Sequence, residues 1–265
     1  MQQHPVKPCS RGGPSSWRQS RRVRVIAAAL VASVGILLPA ISNEPSASAA
    51  PSISGMAIFL DPGHNGGYDS SMTRQVPNGR GGTKECNTTG AATSDGYPEH
   101  AFDWDVALRV RDALSQMGAV IQMSRGDDNS VGPCVHQRAA SANAMHPAAI
   151  VSIHADGGPA SGRGFHVNYS SPPLNDAQAG PAVQLANTMR DSLVAAGLQP
   201  STYVGSNGLY GRADLAGLNL AEYPAVLVEL GNMKNGDEAA QMESPDGRAK
   251  YGAAVTQGIV AYLSH

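Results

Sequence analysis

The stretch on which the fold turns is Ala148-Ala149-Ile150-Val151-Ser152-Ile153-His154-Ala155-Asp156. Its apolar run is nearly continuous, short and rich in β-branched residues, which reads as a strand covered on both faces. The run stops at a histidine and an aspartate. Two other runs share this form. Residues 56–60 (Met-Ala-Ile-Phe-Leu) stop at Asp61-Pro62-Gly63 with His64 just past the turn, and Ala225 to Leu230 carries Glu229 near its end. Segments of helical period lie between them. After Glu99, the apolar residues Phe102, Val106, Val110, Ala113, Leu114 and Met117 recur at helix spacing, and Gly118 supplies a stop. Residues 135–145, 176–196 and 246–263 also read as helices. Residues 119–123 form a short strand. Phe165, Val167 and Tyr169 alternate with polar residues as in a half-buried strand, which puts His166 at the surface, where it could touch a ligand. Strands interleaved with helices predict a single α/β domain.

Upstream, Arg18, Arg21, Arg22 and Arg24 crowd before the apolar run from Val25 to Ile41. Ala47-Ser48-Ala49 then offers the small residues at which a signal peptidase cuts. Residues 1–49 are expected to be an export signal and residues 50–265 the mature domain, working in the periplasm, the cell wall or outside the cell. The mature chain would hold 13 Lys and Arg against 20 Asp and Glu, a balance that argues against nucleic acid as a partner. No second apolar run is long enough to span a bilayer, so no stable membrane insertion is expected after cleavage. Cys86 and Cys134, the two cysteines of the mature chain, read as a disulfide in an exported protein. Residues 65–98 lack a sustained period and exceed the length of an idle connection, which reads as a functional surface loop, pinned by Cys86, that walls or covers a groove. No apolar helix face is left over, and a monomer is expected.

Open α/β sheets bind ligands beyond the carboxyl ends of their strands, so His64, His154 and Glu229 are expected to converge. Glu99 shares a helix face with Phe102, Val106 and Val110, which turns an acid toward the interior, where it needs compensation. Two imidazoles and a carboxylate supply it by holding Zn²⁺ with a fourth position left to water, the arrangement of hydrolytic zinc. A second carboxylate must then accept the water proton and return it to the leaving nitrogen, and Glu229 is the candidate. Asp61 and Asp156, beside the two histidines, are candidate acceptors for an imidazole N–H. Arg212 and Asn232 are candidates to meet a peptide carboxylate or amide. His100 lies about a hundred degrees round the helix from Glu99 and is expected to border the groove.

Four segments carry a resemblance: Phe59-Leu60-Asp61-Pro62-Gly63-His64, Pro98-Glu99-His100-Ala101-Phe102, Val151-Ser152-Ile153-His154-Ala155-Asp156 and Pro224-Ala225-Val226-Leu227-Val228-Glu229-Leu230-Gly231-Asn232. In that order they resemble the signatures of the zinc-dependent N-acetylmuramoyl-L-alanine amidases of the cell-separation type. Asn235, Asp237 and the closing residues 258–263 fit the same family, so the resemblance runs from about residue 56 to the end. It implies one Zn²⁺ per chain held by His64, Glu99 and His154, with Glu229 as the catalytic carboxylate. It also implies a mostly parallel six-stranded central sheet flanked by helices. The implied substrate is peptidoglycan or a muropeptide, cut between N-acetylmuramic acid and L-alanine during wall turnover or cell separation. A zinc peptidase acting within the stem peptides and a non-catalytic muropeptide-binding protein are the rival readings. Two departures stand out. The loop between His64 and Glu99 is longer than the family's, and residues 157–173, where some relatives carry an autoinhibitory helix, hold too much Gly and Pro for one. An enzyme that needs no activator is therefore expected.

Overall fold

The computed structural model describes residues 52–264; the expected export signal, residues 1–49, lies outside them. The chain forms β1 (Ala57–Pro62), a hairpin of β2 (Gln75–Pro77) and β3 (Thr83–Glu85), α1 (Glu99–Gln116), β4 (Val120–Met123), α2 (Val135–Met145), β5 (Ala149–Asp156) and β6 (His166–Ser170). After the short α3 (Asp176–Ala179) come α4 (Pro181–Ala195), β7 (Leu209–Arg212), α5 (Ala216–Asn219), β8 (Ala225–Asn232), α6 (Gly236–Glu243) and α7 (Pro245–Leu263).

All three apolar runs form strands, and each strand extends beyond its apolar residues. The parallel ladder carries the polar ends with it: Asp61 is paired with Ser152, and His154 with Glu229. The six-stranded sheet has the order β4-β1-β5-β8-β6-β7. Its first four strands are mutually parallel, β6 runs antiparallel to β8, and β7 runs parallel to β6.

Side chains alternate across the sheet with period two, so each strand feeds two layers. Ile58, Leu60, Val151, Ile153, Val226 and Val228 face one way, into a core with Phe102 and Val106 of α1, Leu185 and Met189 of α4 and Val255 of α7. Phe59, Ile150 and Ala225 face the other way, against Ala142 of α2 and Leu218 of α5. On this second face the cover includes the small residues Ala139, Ala142, Ala216 and Gly217. They leave a cavity of about 320 Å³ that runs from the carboxyl edge of the strands down past Phe59, Ile150 and Leu227. Among the described residues no helix is long and apolar enough to cross a membrane.

Three sequence expectations need correction. β6 is not half-buried: His166, Asn168 and Ser170 are buried as Val167 is, and Tyr169 is the less buried residue of the strand. Two of its three polar residues find partners inside the fold, Asn168 donating to the Leu227 carbonyl and Ser170 to the Asn219 side chain. The helix expected over 176–196 is two helices. Asn175 caps the first by accepting from the Gln178 N–H, and Pro181, which has no N–H to donate, opens the second. Residues 65–98 are not free of regular structure, since they hold a helical turn at Ser70–Thr73 and the β2–β3 hairpin.

Val76 of that hairpin is buried with the Cys86–Cys134 disulfide in a small apolar cluster of its own. The bond closes a loop with a sequence separation of 48 residues, whose entropy it removes from the unfolded chain. Replacing both cysteines by alanine is expected to lower the unfolding free energy by about 2–4 kcal/mol, read as a lower urea midpoint with a larger m-value, because the unfolded chain without the bond is less compact.

Candidate active site

The site lies at the carboxyl edge of β1, β5 and β8. His64 follows β1 by two residues with a φ of 53°, in the left-handed region that non-glycine residues rarely occupy. Its Nδ1 is 2.8 Å from the Thr88 carbonyl oxygen, which can only accept, so Nδ1 carries a proton and Nε2 is left to face Glu99 Oε1 at 3.2 Å. Glu99 opens α1 and is 4% exposed. Its Oε2 accepts from the Ala91 N–H and its Oε1 from the Ala155 N–H, which fixes the carboxylate in the plane where His154 reaches it, Nδ1 to Oε1 at 2.9 Å. The two imidazole rings stand edge to face, centroids 4.8 Å apart.

Two glycines permit this crowding. A Cβ on Gly63 would lie within 2.6 Å of three atoms of the His154 ring. One on Gly90, which also has a positive φ, would lie 2.7 Å from Glu99 Oε2 and 2.8 Å from the His64 ring.

The charges are out of balance in a way that a cation would correct. Burial alone would raise the Glu99 carboxyl, yet the charge and hydrogen bonds of His64 and His154 outweigh it and hold the group well below the usual range. His154 is itself pushed down, chiefly by burial. Burial, with repulsion from Glu99 and Asp156, drives Glu229 well above the ordinary carboxyl value, and its Oε2 is sealed without a partner. Asp103 is fully buried with neither oxygen partnered, and burial together with Glu99 and Glu229 pushes it up as well.

Ligand atoms of His64, Glu99, Asp103 and His154 all lie within 4.8 Å of one another. Two atoms each about 2.0–2.1 Å from a tetrahedral zinc are roughly 3.3 Å apart, close to the separations seen between Glu99 and the two histidines. The donor set therefore fits a divalent cation. Asp103 escaped the sequence reading, although its position one helical turn after Glu99 places it on the same face.

The remaining candidates have other partners. Asp61 binds Arg138 at 2.8 Å and Ser152 at 2.6 Å, not an imidazole. Asp156 accepts from the Tyr203 hydroxyl at 3.0 Å and from the Gly157 N–H. Arg212 forms a two-pronged pair with Asp214 and lies over the Tyr210 ring. Asn232 is fully buried and donates to the carbonyls of Pro159 and Gly162, which ties down the turn after β5. His100 pairs with Asp128. Sequence reasoning also missed Thr88 and Arg138, whose contribution is made by a backbone carbonyl and by hydrogen bonds across long sequence separations. Lys84, Glu85, Asn87 and Thr88 of the long 65–98 segment line the cavity.

Two imidazoles and a carboxylate beside a second, buried carboxylate, at the carboxyl edge of an open α/β sheet, are the equipment of a metal-dependent hydrolase. The family described as N-acetylmuramoyl-L-alanine amidase (Amidase_3) matches residues 58–261, and the chain belongs to it. It is 59% identical over 233 residues to the N-acetylmuramoyl-L-alanine amidase Rv3717 of Mycobacterium tuberculosis, covering 87% of this chain and 97% of that protein. The crystal structure of the N-acetylmuramyl-L-alanine amidase Ami1 from Mycobacterium smegmatis superposes with a TM-score of 0.80 at 62% identity, covering 80% of this chain and 98% of that one. The apo form of Ami1 from Mycobacterium abscessus gives 0.79 at 62% identity, with 79% and 99% covered.

Proposed function

We propose that the chain hydrolyses the amide between N-acetylmuramic acid and L-alanine in peptidoglycan, with one Zn²⁺ held by His64, Glu99 and His154 and with Glu229 as general base and acid. The observation that supports it most is the convergence of His64 Nε2 and His154 Nδ1 on one oxygen of a buried glutamate, beside a carboxylate that has no partner of its own. Zinc bound there would polarise the scissile carbonyl and make a water acidic enough to attack near neutral pH. The chain supplies the rest. Thr88 fixes the tautomer of His64, and the Ala91 and Ala155 N–H groups fix Glu99. Glu229, raised above the ordinary carboxyl range, is suited to take a proton from water and hand it to the leaving nitrogen. The proposal includes cleavage of residues 1–49, action of residues 50–265 as a monomer outside the membrane, and no need for an activator, since the segment between β5 and β6 is turns without a helix.

The test is incubation of purified zinc-loaded protein with muramyl dipeptide, with no other protein present. Release of an intact peptide with L-alanine at its amino end is expected, and removal of the metal by a chelator is expected to abolish it. Shortened stems would establish the peptidase instead, and zinc binding without cleavage would leave a binding protein.

A further inference from the structure

His166 is a polar residue at the active edge to which the proposed chemistry gives no task. β6 runs against β8, so its first residue, not its last, lies where β5 and β8 reach their carboxyl ends. The register sets His166 directly opposite Glu229, which in turn is paired with His154. Matched positions on neighbouring strands share a face of the sheet, so His154, Glu229 and His166 form a row across three strands.

The environment of His166 defines what it can offer. It is 2% exposed, with the rings of Tyr203 and Tyr210 edge-on at 6.2 and 6.0 Å between centroids. Burial brings its pKa down to about 4 against the pull of Asp156, with Arg212 adding to the depression, so the ring is neutral at neutral pH. Nδ1 is sealed from solvent and has no partner. A buried N–H without an acceptor is rarer than an acceptor without a donor, so the proton belongs on Nε2, the nitrogen that is not sealed. Asp156 is already engaged by the Tyr203 hydroxyl. What remains is one outward N–H donor on a fixed ring beside the general base.

Resting on the amidase reading, we propose that His166 is a substrate-specificity residue whose Nε2–H donates to the L-alanine carbonyl oxygen of the stem peptide. Glu229 must reach the leaving nitrogen, and the carbonyl being cut lies on the side of His64 and His154. The atoms attached to that nitrogen then extend along the other flank of Glu229, where His166 stands. The alanine carbonyl oxygen is three bonds, at most about 3.7 Å, from that nitrogen, and a hydrogen bond of about 2.9 Å then joins it to a donor on the strand beside Glu229.

Calorimetric titration of the zinc-loaded protein with each product tests this without requiring turnover. For His166→Ala, affinity for L-alanyl-D-isoglutamine is expected to fall roughly 10- to 100-fold, while affinity for N-acetylmuramic acid stays unchanged. His166→Gln, whose amide N–H reaches the Nε2 position, is expected to recover most of the loss, and His166→Asn is not. Unchanged peptide affinity, a loss confined to the sugar acid, an equal loss for both products, or no measurable peptide binding by the parent would each overturn the assignment. Failure of the parent to cleave muramyl dipeptide would overturn the amidase reading separately.

Discussion

Glu229→Gln is expected to lower kcat/KM on muramyl dipeptide by about 10²- to 10⁴-fold while the zinc content stays at that of the parent. The glutamine keeps the shape of the side chain and removes its ability to accept and return a proton. Stability should move the other way. In the metal-free protein, burial and the charges of Glu99 and Asp156 hold the Glu229 carboxyl well above its ordinary value. A carboxyl raised in the fold contributes stability that is present below its unfolded pKa, near 4.3, and lost as pH rises through the folded value. At pH 7 the metal-free parent therefore carries a penalty that the variant lacks. Metal-free Glu229→Gln is expected to melt no lower than the parent at pH 7, with any advantage shrinking toward pH 4. A variant that lost its zinc, or several degrees of Tm, along with activity would show that Glu229 holds the site together and does not perform the proton transfer.

Glu229, His154 and His64 were visible in the sequence because each terminates or follows an apolar run that can only be an inner strand, and the strand ends of such sheets converge. Glu99 was visible because an acid on the apolar face of a helix is costly. The long helices were equally legible, since Phe102, Val106 and Val110 repeat at a period no strand has. Other features depended on what covers a surface, which no local pattern records. The alternation in β6 was read correctly as polar against apolar, yet the polar face is closed by α5 and by Asn219, a residue about 50 positions away. Asp61 and Asp156 were placed beside the histidines, but neighbours in sequence are not partners in space. Asp61 turns to an arginine 77 residues away, and Asp156 to a tyrosine 47 residues away. The split at Gly180-Pro181 could have been read from the proline alone, because its missing N–H suits a helix start and spoils a helix interior.

Arg138→Met is expected to cost about 3–5 kcal/mol and roughly 10 °C of Tm. Its side chain is 5% exposed. One amino group serves Asp61 at 2.8 Å and the Pro62 carbonyl at 2.7 Å, and the other serves the His64 carbonyl at 2.7 Å and the Asn65 side chain. It thus clamps the turn that carries His64, and the variant should also bind zinc more weakly. Lysine has no planar fork to reach four acceptors and is expected to restore only part of the loss. The pH dependence separates the charge from the carbonyls. Burial would raise Asp61, but Arg138, helped by Ser124 and Ser152, brings it below its ordinary value. Such a depressed carboxyl contributes stability that is present above its unfolded pKa, near 3.9, and lost as pH falls through the folded value. Without Arg138, burial takes over and the sign reverses, so that the Asp61 contribution is lost as pH rises. Urea unfolding should therefore find the gap between parent and variant wide at pH 7 and narrower at pH 3. A gap of equal size at both would mean that Arg138 stabilises the turn through the Pro62 and His64 carbonyls, with Asp61 a bystander.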